Sequence, residues 1–178
     1  MGATTGDFNK YYKSAFIIAS ETGNIGVMDV LLRHGADINV REYVSNHTSY
    51  TSLHIACQSG NLPVINFLLA HGANPNMLNE EGLSPFMIAY RSRNMDVISL
   101  LLKYEVNLNA LSETYNRFQY LTPLMHACLV GDTEMVKILL EHGAEVTITN
   151  HEGKTALDYV GNNAELSALL HHQSLKQA

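Results

Sequence analysis

Nine histidines and two cysteines are the side chains of this 178-residue chain best suited to holding a metal. Zinc chemistry needs them at short, fixed spacing, as in H-E-x-x-H or paired C-x-x-C. Neither spacing occurs: Cys57 and Cys128 are far apart, and His34, His71 and His142 each precede a glycine at widely separated points. Nucleophilic and phosphate-handling chemistry lacks its signatures too, with no nucleophile elbow, phosphate loop or paired-carboxylate arrangement. The expectation is a non-enzymatic chain with no cofactor, metal or catalytic residue. Recognition chemistry is better represented. Two stretches, REYVSNHTSY (41–50) and LSETYNRFQY (111–120), gather Tyr43, Tyr50, Tyr115, Arg117, Phe118 and Tyr120 among Asn, Ser and Thr. Aromatic rings are costly to leave in water and valuable in a partner's pocket, and this composition suits adaptable binding loops.

The elements that must position these loops come from an internal repeat. TSLHIACQSGNLPVINFLLAHGANPN (51–76) and TPLMHACLVGDTEMVKILLEHGAEVT (122–147) are the clearest copies. An alanine marks the same point at Ala19, Ala56, Ala89 and Ala127, with Val160 in the fifth copy. A period of about 33 residues is the signature of a solenoid. The pattern of T-P-L-H-x-A, then G, then V-x-x-L-L, then G-A-x-x-N resembles the ankyrin repeat family, and the match runs from about Lys13 to Leu170. The resemblance implies an all-α ankyrin repeat solenoid of about five helix-turn-helix repeats joined by hairpin-like loops. It places a single domain over 1–178, with repeats near 9–41, 46–78, 79–111, 117–149 and 150–172 and a short tail at 173–178. His34, His71, His142 and His54 then fall on the family pattern.

Within each repeat the residue types predict the local structure. Ser84, Thr122 and Thr155 can cap a first helix through their side-chain oxygens, and Pro85 and Pro123 suit the turn that follows. Leu53, Phe86, Leu124 and Leu157 point inward, and Gly23, Gly60 and Gly131 end the helix where a positive φ is needed. Val64, Phe67 and Leu68, or Val136, Leu139 and Leu140, give the second helix its apolar stripe. The third repeat departs twice, with Arg93 and Glu105 where the others carry glycine, so it is expected to be the softest. The fifth repeat closes with the polar Asn162, Asn163, Glu165, His171 and His172, as a cap should. The first is preceded by Phe8, Tyr11 and Tyr12, which either cover an open end or mark a piece of something longer.

Composition narrows the partner. With 46% apolar residues the chain can bury a continuous core. A formal charge of −6 disfavours nucleic acid. No apolar run is long enough to insert in a membrane. Cysteines without a disulfide framework fit a reducing compartment, cytoplasmic or nuclear. The reading is a monomeric protein-protein interaction module, acting as adaptor, scaffold or inhibitor, that binds another protein. Two other classes stand beside it: a regulatory ankyrin segment of a larger enzyme or channel, and a small-ligand or nucleotide-binding domain using Arg91, Arg93, Arg117 and Phe118.

Two connecting loops, 41–50 and 111–120, are several residues longer than the others. Both have lost the D-x-x-G-type turn that Glu80-Glu81-Gly82 and His151-Glu152-Gly153 keep. Length of this kind costs little closure entropy. The family's usual surface is a concave face made by these loops and the ends of the first helices. Carried over by position, the helix-end pairs are Glu21 and Thr22, Gln58 and Ser59, Arg91 and Ser92, and Leu129 and Val130. The last pair is aliphatic where the site should be wet, so either it meets a partner or the second long loop covers it.

The resemblance also implies a modification. Hairpin asparagines of the family are substrates of an asparaginyl hydroxylase that favours Leu eight residues earlier and an aliphatic residue just before. Asn39, with Leu31 and Ile38, and Asn109, with Leu101 and Leu108, meet that pattern, although the same residues are ordinary repeat consensus. Incubation with that hydroxylase is expected to add one oxygen to the Asn39 peptide in a mass spectrum; an unchanged mass removes the assignment.

Overall fold

The computed structural model describes residues 14–45, 48–113 and 120–177. Two compact units divide between Val106 and Asn107. The first holds the helix pairs α1 (Ala15–Glu21) and α2 (Ile25–Arg33), α3 (Ser52–Ser59) and α4 (Leu62–Ala70), and α5 (Pro85–Arg91) and α6 (Met95–Leu101). Strands β1 (Glu42–Ser45) and β2 (Thr48–Tyr50) stand between its first and second pairs. The second unit opens with β3 (Ser112–Glu113) and β4 (Tyr120–Leu121), followed by α7 (Pro123–Val130) and α8 (Thr133–Glu141). It ends with a 3-10 turn (Ala156–Tyr159) and α9 (Ala164–Gln177). The tail expected at 173–178 continues α9 as far as Gln177, because nothing from 164 onward breaks a helix.

Each first helix starts on a hydroxyl. Ser14, Thr51, Ser84 and Thr122 accept the N–H of the third helical residue, as anticipated for Ser84 and Thr122. Thr155 begins only a 3-10 turn, and there Asp158 reaches back to the Thr155 N–H at 2.7 Å. The second helices carry caps that the sequence reading passed over: Asn24, Asn61, Asn94, Asp132 and Asn163 accept from Val27, Val64, Val97, Met135 and Leu166.

Apolar burial follows the repeat. In the first unit Phe16, Leu53, Ile65, Leu68, Phe86, Ile98 and Leu101 are fully buried; in the second Leu121, Leu124, Val136, Leu139, Leu166 and Leu170 are. The helix pairs of the first unit meet through α1 against α3, α3 against α5 and α4 against α6. Those of the second meet through α7 against the 3-10 turn and α8 against α9.

The long loops are two-stranded ribbons. In the first, Glu42 pairs with Tyr50 and Tyr43 with Ser49, antiparallel, with an irregular register between Tyr43 and Ser45. In the second, Ser112 pairs with Leu121 and Glu113 with Tyr120. One buried polar residue begins every connection: Glu42, Asn79, Ser112 and Asn150. In the short hairpins the asparagine oxygen gathers the turn, Asn79 accepting from Glu81 and Leu83, Asn150 from Glu152 and Lys154. Glu42 instead accepts the backbone N–H of Ser14 and so ties the first ribbon to the start of α1.

The third repeat resolves its two missing glycines differently. Arg93 keeps the left-handed conformation, φ 54°, beside 71° and 72° at Gly23 and Gly60. Glu105 does not, which corrects the expectation of strain there. Helix α6 ends at Leu101, two residues shorter than α4, and the chain turns through a Val106 N–H to Tyr104 carbonyl bond of 2.8 Å, so no positive φ is required. The residual strain is therefore at Arg93. Arg93→Gly is expected to raise the unfolding free energy by about 1 kcal/mol in urea titrations. The same change should slow hydrogen exchange across 90–106, where an already best-protected segment would contradict local softness.

Candidate interaction surface

The tips of the repeats are fastened by asparagines. Asp37, Asn74 and Asn107 each fold their own hairpin by accepting the N–H two residues on. The residues so oriented then reach the next hairpin. Asn39 accepts from the Asn74 N–H at 2.8 Å, and Asn76 donates to the Glu105 carbonyl at 2.8 Å. Asn109 both accepts the Glu145 N–H and donates to its carboxylate, each at 2.9 Å. Asn39 and Asn109, the candidate modification residues, are thus structural ties between hairpins.

Behind the first ribbon lies a buried polar centre. His54, fully buried, presents Nε2 to the Leu83 carbonyl at 3.1 Å, which fixes the proton on that nitrogen. Its Nδ1 accepts from the Thr51 hydroxyl at 2.7 Å and the Thr51 N–H at 3.2 Å. Burial, outweighing the help of the carbonyl bonds, pushes His54 down to about 4. Tyr50 sits edge-on to this ring at 6.0 Å and is half-buried. Burial first, then Glu81, raises the Tyr50 hydroxyl, with the Asn79 amide and Arg91 pulling the other way. The fold therefore brings Tyr50 and Arg91, two of the sequence candidates, into one electrostatic neighbourhood. Tyr43 is described in its backbone alone.

The second unit is more open. Tyr120 is exposed and packs edge-on to His151 at 4.9 Å. Leu129 and Val130, ending α7, are 49% and 56% exposed. Tyr115, Arg117 and Phe118 lie outside the described residues. Glu21, Thr22, Gln58, Ser59 and Ser92 are exposed, as their carried-over positions require, and Arg91 is half-buried.

Comparison with known proteins agrees with this geometry. Ankyrin repeats (3 copies) match residues 41–112, ankyrin repeats (many copies) match 101–160, and a single ankyrin repeat matches 11–43. The chain belongs to the ankyrin repeat family. Its fold class is the all-α ankyrin solenoid, here with two ribbon insertions. Ankyrin repeat and SOCS box protein 11 of Danio rerio is 49% identical over 43 residues, which is 24% of this chain and 15% of that protein. The chain thus spans about 15% of the length of the curated relative it matches.

As in an ankyrin repeat generally, the histidines before the glycine are helix ends. His34, His71 and His142 place Nδ1 at 2.7, 2.7 and 2.8 Å from the carbonyls of Val30, Phe67 and Ile138. Cys57 and Cys128 are buried, and burial pushes both thiols up to about 12, leaving them protonated and unreactive. Among the described residues no group of three or more His, Cys, Asp or Glu could hold a metal. No described helix is long and apolar enough to cross a membrane.

His54 is neutral when folded and takes up a proton near its ordinary 6.5 when unfolded. Stability is therefore full above that value and falls as pH drops toward about 4. The expected loss between pH 7 and pH 5 is about 2 kcal/mol in urea titrations, and it should disappear from the slope of His54→Gln.

Proposed function

We propose that this chain is a non-enzymatic protein-interaction module that binds a partner protein through the ends of its first helices and its two ribbons. Each unit contributes its own patch, Arg91 and Tyr50 in the first and Leu129, Val130 and Tyr120 in the second, and from the sequence alone Tyr43, Tyr115, Arg117 and Phe118 are proposed to join them. The observation that carries the reading is the exposure of Leu129 and Val130. Two large aliphatic side chains at the end of a helix gain nothing from water and can gain free energy in a partner's pocket. Tyr43, Tyr50 and Tyr120 stand on backbones fixed by strand pairing, so little ordering entropy remains for them to lose on binding. Adaptor, scaffold and inhibitor are all roles that such a module can fill.

The test is affinity capture from the source cell's lysate after circular dichroism confirms folding of every variant. Leu129→Ser with Val130→Ser is expected to weaken the specific partner by about tenfold or more, the scale of an interface anchor. Tyr43, Tyr115, Phe118 and Tyr120 changed together to Ser should act likewise; Tyr50 is left in place because it packs on His54. Unchanged capture by both variants would move the site to the opposite helices.

A further inference from the structure

The end of the first helix in the third repeat departs from its sisters in charge. The same two positions carry Glu21 and Gly23, Gln58 and Gly60, or Leu129 and Gly131 elsewhere, and here both are arginine, Arg91 and Arg93. The turn itself is unchanged. Arg93 donates its N–H to the Tyr90 carbonyl at 2.9 Å and Asn94 to Ala89 at 3.1 Å, as Gly23 and Asn24 do to Ser20 and Ala19 at 3.2 and 2.8 Å. Glycine would make this turn without strain, so packing accounts for the φ of 54° but not for the arginine that bears it. A strained residue kept at an exposed position calls for a use outside the fold. Ser92, between the two arginines, differs as well. At its place the hydroxyls of Thr22 and Ser59 turn back onto the carbonyls of Ile18 and Ala56 at 2.9 and 3.2 Å. Ser92 and Arg93 are exposed, and neither side chain has a hydrogen bond or ion pair among the described residues, whereas Arg33, Lys137 and Lys154 are each paired with a carboxylate.

We infer that Arg93, with Arg91 and the Ser92 hydroxyl, receives a carboxylate side chain from an acidic segment of the partner protein. The inference rests on the interaction module proposed above and names the chemistry of what its first unit binds. A guanidinium meets a carboxylate with two parallel N–H donors, and the Ser92 hydroxyl supplies a third. Arg91 is close enough to Tyr50 to act on its hydroxyl, which sets an aromatic ring beside the cations. In a chain of formal charge −6 a long polyanion such as nucleic acid is repelled as a whole, whereas a short acidic segment needs only this local pair of arginines. The residue that weakens the fold at this turn is thus the one that serves the interface.

The probe is a fluorescein-labelled hexaglutamate peptide, with hexaglutamine as its uncharged counterpart, titrated at low salt onto the intact chain, Arg93→Gly and Arg93→Lys. Saturable binding of hexaglutamate alone, weakened about fivefold or more in Arg93→Gly and less in Arg93→Lys, which keeps the charge, supports the inference. Because Arg93→Gly relieves strain, it should bind less while unfolding at a higher temperature, a combination that damage to the fold cannot produce. No saturable binding of hexaglutamate, or equal binding by Arg93→Gly and the intact chain, overturns the inference. Displacement of the label by inorganic phosphate as effectively as by unlabelled hexaglutamate overturns the carboxylate assignment. The variant with Leu129→Ser and Val130→Ser reports on the module separately, since it leaves both arginines in place. A partner lost from that variant, while hexaglutamate binds Arg93→Gly and the intact chain alike, would sink this inference and keep the module.

Discussion

An ankyrin helix pair has two apolar stripes and can bury only one of them by itself. Every other feature of the two units answers to that constraint. The first helix is short and carries Ala56, Ala89 or Ala127 so that its partner can approach, and the second buries its capped residue and the one after it. Stability in such a fold comes largely from neighbour interfaces rather than from any single repeat.

Polar groups make the stacking specific. A buried histidine that bonds Thr51 on one side and Leu83 on the other holds two repeats in register, and it can do so only as a neutral ring. The hairpin asparagines do equivalent work at the tips, where backbone N–H and C=O groups would otherwise have no partner. These ties leave the loops free to vary. Replacing an Asn-gathered turn by Glu42 or Ser112 removes the local turn but keeps a buried polar residue at the root, where the described residues of each long loop pair as a short antiparallel ribbon.

Most of the fold was legible because the repeat was. The alanines, the hydroxyl caps, the ending glycines and the apolar stripe each belong to a local rule that acts within a few residues. The candidate site was legible only as a set of residue types. Tyr50 and Tyr120 look alike in sequence, yet Tyr50 is half-buried against His54 whereas Tyr120 stands exposed against His151. Leu129 and Val130 announced themselves by being aliphatic where neighbours are polar, and both are exposed at the end of α7. The Asn and Asp caps of the second helices could have been found, since Asn24, Asn61, Asn94, Asp132 and Asn163 follow the repeat; they were overlooked beside the stronger apolar signal.

The two glycine substitutions of the third repeat mark the boundary between the two kinds of information. Sequence alone determined the family, the repeat boundaries, the Ser84 and Thr122 caps and the positions of the long loops, because these follow from short-range periodicity and backbone preference. It could not decide how the chain accommodates Arg93 and Glu105. Arg93 follows a helix whose partner must start at Asn94, so the left-handed turn is imposed by packing; Glu105 leads into a loop with room to shorten α6 and avoid it. Which aromatic rings face solvent and which buried histidine stays neutral were likewise decided by the tertiary structure, because each depends on neighbours a whole repeat away.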